Sequence, residues 1–167
     1  MRIGLISDTH GHLDGQVKKY FAEVDEIWHA GDIGNLKVAE ELEAFKPFRA
    51  VWGNIDGQKA RVLYPEFLRF YCEKVDVLIT HIGGYPGRYS PKVREIMAVK
   101  PPKLFICGHS HILKVMMDKK HQCLHMNPGA AGISGFHKVK TLLRFTIDGD
   151  QIKDLEVVEL GPRARKV

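Results

Sequence analysis

The sequence IGLISDTH at residues 3–10 passes from an apolar run to polar residues within the length of one strand. The run Ile3–Ser7 predicts a short buried β-strand, and the polar residues follow it directly. The same order recurs in EIWHAGD at residues 26–32 and in FRAVWGNID at residues 48–56. These two segments predict strands over Glu26–Ala30 and Phe48–Trp52, each ended by a glycine.

Apolar residues at helical spacing separate these three strands. The first set is Leu13, Val17, Tyr20, Phe21 and Val24, and the second is Leu36, Ala39, Leu42 and Phe45, followed by Pro47. Each set predicts a helix with one apolar face. Residues 3–54 therefore predict a βαβαβ unit, in which helices cover a sheet of parallel strands.

The rest of the chain predicts mainly strands. We expect a connecting segment over Gln58–Pro65, a glycine-rich loop over Ile82–Tyr89 and a short helix that places Val93, Ile96 and Met97 on one face. The predicted strands are Phe67–Cys72, Val75–Thr80, Lys103–Cys107, Leu113–Asp118, Gln122–Met126, Val139–Ile147 and Ile152–Leu160. Asp148-Gly149 predicts a type I′ turn between the last two. The fold class is therefore α/β, with two sheets packed face to face and helices outside.

Length and composition restrict the class of protein. The 167 residues suffice for one domain, which we expect over residues 1–160, with a basic tail over 161–167. The net charge is +5, but the basic residues are scattered, so a nucleic-acid partner is not indicated. The three widely spaced cysteines predict no disulfide framework. Neither a membrane span nor a signal peptide is evident, which predicts a cytoplasmic protein.

Metal-ligand side chains follow several of the predicted strands. They are Asp8, His10, Asp32, Asn54, Asp56, His81, His109 and His111. Because the C-terminal ends of strands in an open α/β sheet form one edge, we expect these side chains to converge. In Asp8-x-His10 and His109-x-His111, the spacing is one at which an extended loop points alternate side chains in the same direction.

These carboxylates, imidazoles and one amide suit borderline divalent ions. We expect manganese, with iron, zinc, nickel and cobalt as alternatives. The seven groups other than Asp56 are too many for one ion and match two ions that share a carboxylate, for which Asp32 is the natural candidate. Two ions about 3.5–4 Å apart can activate a water and clamp phosphoryl oxygens during an in-line displacement.

Five blocks of the sequence carry a resemblance to a known family. They are Asp8-Thr-His10, Gly31-Asp32, Gly53-Asn54-Ile-Asp56, His81 and Gly108-His109-Ser-His111. In this order they resemble the motifs of the calcineurin-like metallophosphoesterases. The small size and Asn127-Pro128-Gly129 are similar to the small bacterial and archaeal phosphodiesterase branch of that family.

The resemblance implies a four-layer αββα sandwich with two mixed sheets flanked by helices. It also implies two metal sites, in which Asp32 binds both ions. The first site would consist of Asp8, His10, Asp32 and His111, and the second of Asp32, Asn54, His81 and His109. Asp56 would orient a ligand or a neighbouring turn, and we assign catalytic roles to Asp32, Asn54 and His109.

The predicted function is hydrolysis of a phosphodiester, small molecule or nucleotide, by a metal-bridging hydroxide. Two alternatives remain open. One is a phosphomonoesterase or nucleotidase. The other is a non-catalytic scaffold, because a subunit of the retromer complex is similar in fold to this family and serves in protein assembly. That subunit lacks part of the ligand set, whereas here every ligand position is filled. The family resemblance is also consistent with a homo-oligomer.

Several residues near the motifs have open roles. Many family members carry a histidine where this chain has Ile55, and that histidine is taken to protonate the leaving oxygen or to stabilise the transition state. His12 is close enough in sequence to Asp8 to contact substrate, with a surface loop as the alternative. Asn127 opens a loop whose amides could approach the phosphate, or which is an ordinary glycine loop. His29 is expected in the core or behind a ligand, and His137 on the surface or in a strand.

Overall fold

A computed structural model describes residues 1–163 as two five-stranded sheets, one small hairpin and four helices. The helices are α1 (Val17–Tyr20), α2 (Leu36–Phe45), α3 (Gln58–Leu63) and α4 (Pro91–Val99). The strands are β1 (Arg2–Ile6), β2 (Glu26–His29), β3 (Phe48–Ala50), β4 (Phe67–Cys72), β5 (Val75–Thr80), β6 (Gly84–Tyr85), β7 (Arg88–Tyr89), β8 (Leu104–Ile106), β9 (Leu113–Asp118), β10 (Cys123–Pro128), β11 (Val139–Asp148) and β12 (Gln151–Pro162).

Both sheets are mixed. The first has the order β12-β11-β1-β2-β3, in which β1, β2 and β3 run parallel and β11 and β12 are antiparallel additions. The second has the order β4-β5-β8-β10-β9, in which β5, β8 and β10 run parallel. Each sheet therefore has a parallel centre, and the C-terminal ends of its parallel strands form one edge.

Three apolar clusters hold four layers together. The sheets pack face to face through residues such as Leu5, Ile79 and Phe145. Neighbouring residues point the other way, so Ile6 packs with the residues of α1 and α2. Phe105 packs with α4 residues on the outer face of the second sheet. Strands buried on both faces explain the near-continuous apolar runs in the sequence, and the predicted αββα sandwich is confirmed.

Two helical segments differ from the sequence prediction. The first predicted helix shrinks to the single turn α1, because Asp14 first closes a turn by accepting hydrogen bonds from Gln16 N and Val17 N. The segment over Gln58–Pro65, predicted as a connection, instead contains α3, with Ala60 as its buried residue. Its single buried position gives no apolar periodicity for the sequence to display.

The last hairpin also differs in detail. Asp148 pairs with Gln151, so the central turn residues are Gly149 and Asp150. Only Gly149 has a positive φ, +61°, which fits a type II′ turn and not the predicted type I′. Gly161 and Pro162, assigned above to the tail, continue β12, while residues 164–167 of that tail lie outside the described residues. In residues 1–163, no helix has the length and apolar character required to cross a bilayer.

Candidate metal centre

The predicted ligand side chains converge where the C-terminal edges of the two sheets meet. Two groups form there, each with ligand atoms within 4.8 Å of one another. The first contains Asp8, His10 and His111, and the second contains Asp32, His81 and His109. Asn54 joins the second group, since its Oδ1 lies 3.0 Å from His109 Nδ1. All seven side chains predicted as ligands are thus brought together.

Asp8 is held by one carboxylate oxygen and presents the other to the histidines. Its Oδ2 accepts hydrogen bonds from Ser7 Oγ at 2.7 Å and from His109 N at 3.2 Å. Its Oδ1 lies 3.2 Å from His111 Nε2 and 3.8 Å from the Nε2 atoms of His10 and His81. The side chain is fully buried, so water does not solvate this charge.

Asp32 repeats this arrangement between the two groups. Its Oδ1 accepts a hydrogen bond from Ile55 N at 3.1 Å. Its Oδ2 lies 3.4 Å from His10 Nε2, in the first group, and 3.2 Å from His81 Nε2, in the second. A single oxygen of Asp32 therefore faces ligands of both groups, which is the geometry that a bridging carboxylate requires.

The protonation of His81 is determined by its backbone partner. His81 Nδ1 lies 2.8 Å from the carbonyl oxygen of Ala30, which can only accept, so Nδ1 carries the proton. When the ring is neutral, Nε2 therefore carries the lone pair and faces Asp32, ready to bind a cation. Gly31 makes room for this ring: its φ is +95°, and a Cβ there would lie 2.7 Å from the His81 side chain.

The donor set passes a direct test for a cation. Within residues 1–163, three of the buried side-chain atoms that lack a hydrogen-bond partner face this centre: Asp8 Oδ1, His10 Nε2 and His81 Nε2. Buried polar atoms are rarely left unpaired. Two ligand atoms on one ion, each about 2.1 Å from it and 90–109° apart, lie about 3.0–3.4 Å from each other. His81 Nε2 lies 3.2 Å from Asp32 Oδ2, and His111 Nε2 lies 3.2 Å from Asp8 Oδ1, so both pairs fit that arrangement.

Backbone strain is concentrated at the same residues. Five of the ligand positions have φ between +47° and +70°, namely Asp8, His10, Asp32, His109 and His111. Non-glycine residues rarely adopt this left-handed conformation, and it is often found at functional sites. The D-x-H and H-x-H spacing had suggested extended loops, and that prediction is wrong. Left-handed turns point both ligands of each pair inward instead.

The charges of the centre are strongly coupled. Burial opposes ionisation of Asp8, but the adjacent imidazoles of His10 and His111 outweigh it and hold the pKa of Asp8 well below its usual range. Burial likewise opposes ionisation of Asp32, and the adjacent imidazole of His81 lowers its pKa overall. The neighbouring carboxylate of Asp8 raises the pKa of His10. In the absence of metal, protons thus take the place of cations between the carboxylates and imidazoles.

Asp56 lies behind the ligands and ties two loops together. Its Oδ2 accepts hydrogen bonds from Gly53 N at 2.7 Å and Ile33 N at 3.1 Å, and its Oδ1 accepts one from Gly34 N at 2.8 Å. Asp56 therefore links the loop that carries Asp32 to the loop that carries Asn54.

His29 performs a similar task from the core. Its Nδ1 accepts a hydrogen bond from Gly31 N at 3.1 Å, so Nε2 carries the proton and donates to Thr9 Oγ1 at 3.0 Å. Burial lowers the pKa of His29 to about 4, which keeps the ring neutral. Thr9 in turn donates to Ile33 O at 3.0 Å. This chain joins the loops that follow β1 and β2.

His137 is a supporting residue that the sequence did not reveal. Its Nε2 donates to Gly132 O at 2.8 Å, which leaves Nδ1 as an acceptor for His111 Nδ1–H at 3.3 Å. His111 therefore presents its Nε2 lone pair to Asp8. Gly135 allows the two rings to meet, because a Cβ there would lie 2.2 Å from His111 Nδ1. No short-range motif contains His137, so only the folded chain places it.

Asn127 and His12 are the two residues that the sequence predicted to contact substrate. Both N–H groups of Asn127 are used within the protein, since Nδ2 donates to Gly108 O at 3.0 Å and Ser110 Oγ at 3.1 Å. Asn127 therefore shapes the loop around His109, and its predicted contact with substrate stays a prediction. His12 is partly exposed beside the first ligand loop and remains a prediction.

Comparison with known proteins places the chain in a family. The family model described as the calcineurin-like phosphoesterase superfamily domain matches residues 1–150. The chain belongs to this superfamily. The resemblance inferred from the five sequence blocks is therefore confirmed, and the family is one of metal-dependent phosphoesterases.

The individual relatives share between 16% and 27% of their residues with this chain. The chain is 27% identical to a probable metallophosphoesterase of Methanothermobacter thermautotrophicus, over 96% of this chain and 94% of that protein. It is also 27% identical to a protein named phosphodiesterase from Methanocaldococcus jannaschii, over 77% and 83% of the two chains. Among solved structures, Vps29 of Entamoeba histolytica, crystallised with Zn²⁺, aligns with a TM-score of 0.70 at 16% identity, covering 96% of this chain and 100% of that chain. This last likeness concerns the fold alone.

We expect metal affinity to fall as pH falls. The pKa of His10 and of His81 is raised above 6.5, so both imidazoles are largely protonated below that pH. A histidine must be neutral to bind a metal, and binding therefore releases protons. Calorimetric titration of metal-free protein with Mn²⁺ should give an affinity about tenfold or more weaker at pH 6 than at pH 8. Equal affinities at the two values would contradict this electrostatic description.

Replacing His137 should weaken metal binding without disturbing the fold. His137→Phe removes the acceptor for His111 Nδ1–H, and loss of such a supporting partner costs about 10–100-fold in metal affinity. His137→Gln keeps a hydrogen-bond acceptor and should recover much of the lost metal affinity. The control is His121→Phe, because His121 is similarly half-buried but pairs with Asp118. If His137→Phe bound Mn²⁺ as tightly as this control, His137 would have no positioning role.

Proposed function

We propose that this protein is a phosphodiesterase that uses two divalent metal ions, with manganese as the native metal. The observation that carries the proposal is the position of Asp32 Oδ2, which faces His10 at 3.4 Å and His81 at 3.2 Å. Two separate imidazole groups share one carboxylate oxygen. When bound, a pair of such ions lowers the pKa of a water and neutralises phosphoryl oxygens.

The site contains residues that would bind the ions and residues that hold the ligand loops in place. Asp8, His10 and His111 would hold one ion, and Asn54, His81 and His109 the other, with Asp32 common to both. The backbone of Ile55, together with Asp56 and His29, fixes the loops, so that the donors are oriented before substrate arrives. Such preorganisation is a large contribution to catalysis, because the site need not rearrange as charge develops.

Two features favour a diester over a monoester substrate. The M. jannaschii relative is named a phosphodiesterase. In addition, the position next to Asn54 is Ile55, whose side chain is 46% exposed and offers no proton to a leaving oxygen. A diester with an acidic leaving alcohol needs little such assistance.

The direct test is a substrate panel with controlled metal content. Metal-free protein should be inactive towards bis(p-nitrophenyl) phosphate, and Mn²⁺ should restore hydrolysis. p-Nitrophenyl phosphate, the matched monoester, should react more slowly. Faster turnover of the monoester would instead support the phosphomonoesterase alternative, and no turnover of either ester under any metal would favour the scaffold. The complete ligand set argues against a scaffold, because a scaffold has no need for two buried carboxylates that face imidazole lone pairs.

Asp32→Asn should damage the site more than Asn54→Ala. Asp32 supplies charge to both ligand groups, whereas Asn54 contacts the second group only, through His109. We expect Asp32→Asn to bind one equivalent of Mn²⁺ or less and to lose nearly all diester hydrolysis. Asn54→Ala should keep the first ion and part of the activity. Metal analysis of dialysed protein and initial rates give the comparison; equal losses in the two variants would remove the basis for a bridging Asp32.

Ile55 should make the reaction depend strongly on the leaving group. Across aryl methyl phosphodiesters, we expect the wild-type rate to fall steeply as the pKa of the phenol rises. Ile55→His introduces a proton donor and should speed the poorest substrates by about 10²-fold, the lower end of general acid catalysis. Ile55→Leu serves as the control of similar size. A wild-type rate that is independent of leaving-group pKa, with chemistry rate-limiting, would mean that another group already donates the proton.

A further inference from the structure

A cavity adjoins the metal centre. It has a volume of about 290 Å³ and extends from Gly108 and His109 to the β6–β7 hairpin. This volume is near the lower end of the range for small-molecule sites, about 300–1,000 Å³. Because His109 belongs both to the cavity wall and to the second ligand group, a phosphate ester bound at the metals would extend into this space.

Two residues that line this cavity carry buried polar atoms without a partner. They are Ser90, through Oγ, and His125, through Nδ1. Six such atoms occur in residues 1–163; three face the metal centre and only Arg144 Nε belongs to neither place. Ser90 occupies the N-cap of α4, yet its hydroxyl makes no capping bond. The hydroxyl and the imidazole therefore resemble the unpaired ligands of the metal centre, since each lacks a hydrogen-bond partner within the protein.

His125 offers a neutral hydrogen-bonding edge. Its side chain is 1% exposed, and burial lowers its pKa to about 4. A neutral imidazole presents one donor and one acceptor. Its ring lies against Phe105, with centroids 5.5 Å apart. A ligand that reached His125 would thus meet a fixed polar edge in the cavity wall.

Aromatic rings and glycine backbone form part of the cavity wall. Tyr85 and Tyr89 contribute aromatic rings, and the backbone of Gly83 and Gly84 contributes a surface without side chains. Gly83 is required there, because a Cβ would lie 2.4 Å from Phe105 Cζ. Aromatic side chains are the usual stacking partners of nucleobases, so the two tyrosine rings favour a planar group.

The charge at the rim is positive. Lys114 Nζ lies 4.0 Å from the centroid of the Tyr85 ring, and Arg88 stands on the same hairpin as Tyr85. No aspartate or glutamate lines the cavity, and neither cation forms an ion pair with any residue in 1–163. Such a rim attracts an anionic ester and disfavours a cationic one.

We propose that this cavity binds one ester group of the phosphodiester, and that it selects a planar heteroaromatic ring with polar edge atoms, of the kind a nucleoside carries. Ser90 and His125 would contact the edge of the ring, while Tyr85 and Lys114 would cover its entrance. The inference rests on the proposed function, because it uses the metal centre to hold the phosphate.

Binding measurements test the cavity separately from catalysis. Protein loaded with Mn²⁺ is titrated calorimetrically with thymidine 5′-monophosphate and, in parallel, with methyl phosphate. We expect the nucleotide to bind about tenfold or more tightly, since only it carries a stacking ring. His125→Phe keeps the shape of the side chain but removes both ring nitrogens. Loss of one hydrogen bond should weaken nucleotide binding and bring the two affinities within about threefold of each other.

The affinity for methyl phosphate should stay unchanged in that variant. Lys114→Gln should also weaken the nucleotide selectively, whereas Lys119→Gln, on an exposed lysine outside the cavity, should not. Ser90→Ala repeats the test if His125→Phe does not fold. Equal binding of the two ligands by wild type, or an equal loss for both ligands in His125→Phe, would overturn the inference. Selective nucleotide binding without hydrolysis of any diester would overturn the proposed function and leave the cavity assignment intact.

Discussion

Two buried carboxylates that face imidazole lone pairs impose the constraint on which this structure depends. Asp8 and Asp32 each use one oxygen to fix the backbone and turn the other towards histidine nitrogens at 3.2–3.8 Å. Such an arrangement is unfavourable without a positive charge in the middle. The left-handed residues, the glycines without room for a Cβ and the carboxylate of Asp56 all maintain it.

The supporting groups mostly determine which ring nitrogen of each histidine carries a proton. Ala30 O orients His81, Gly132 O orients His137 and thereby His111, and Gly31 N orients His29. Each backbone group belongs to a loop that also carries, or adjoins, a ligand. The loops that present the ligands therefore also determine the protonation of the neighbouring histidines.

Much of this could be read from the sequence, for physical reasons. A parallel strand buried on both faces leaves a continuous apolar run, and a ligand directly after it must lie at the sheet edge. That logic located Asp8, Asp32, His81 and His109. It could not locate His137, whose role depends on a contact across 26 residues, and it mistook the ligand loops for extended chain. The helix α3 was missed because its single buried residue, Ala60, leaves no apolar periodicity in the sequence.

We propose above all that Asp32 Oδ2 joins two metal ions. The most direct measurement is the crystal structure of the protein soaked in Mn²⁺, with anomalous difference maps recorded at the manganese edge. We expect two peaks about 3.5–4 Å apart, with Asp32 Oδ2 within bonding distance of both. A single peak at full occupancy, or two peaks of which Asp32 contacts only one, would contradict the account.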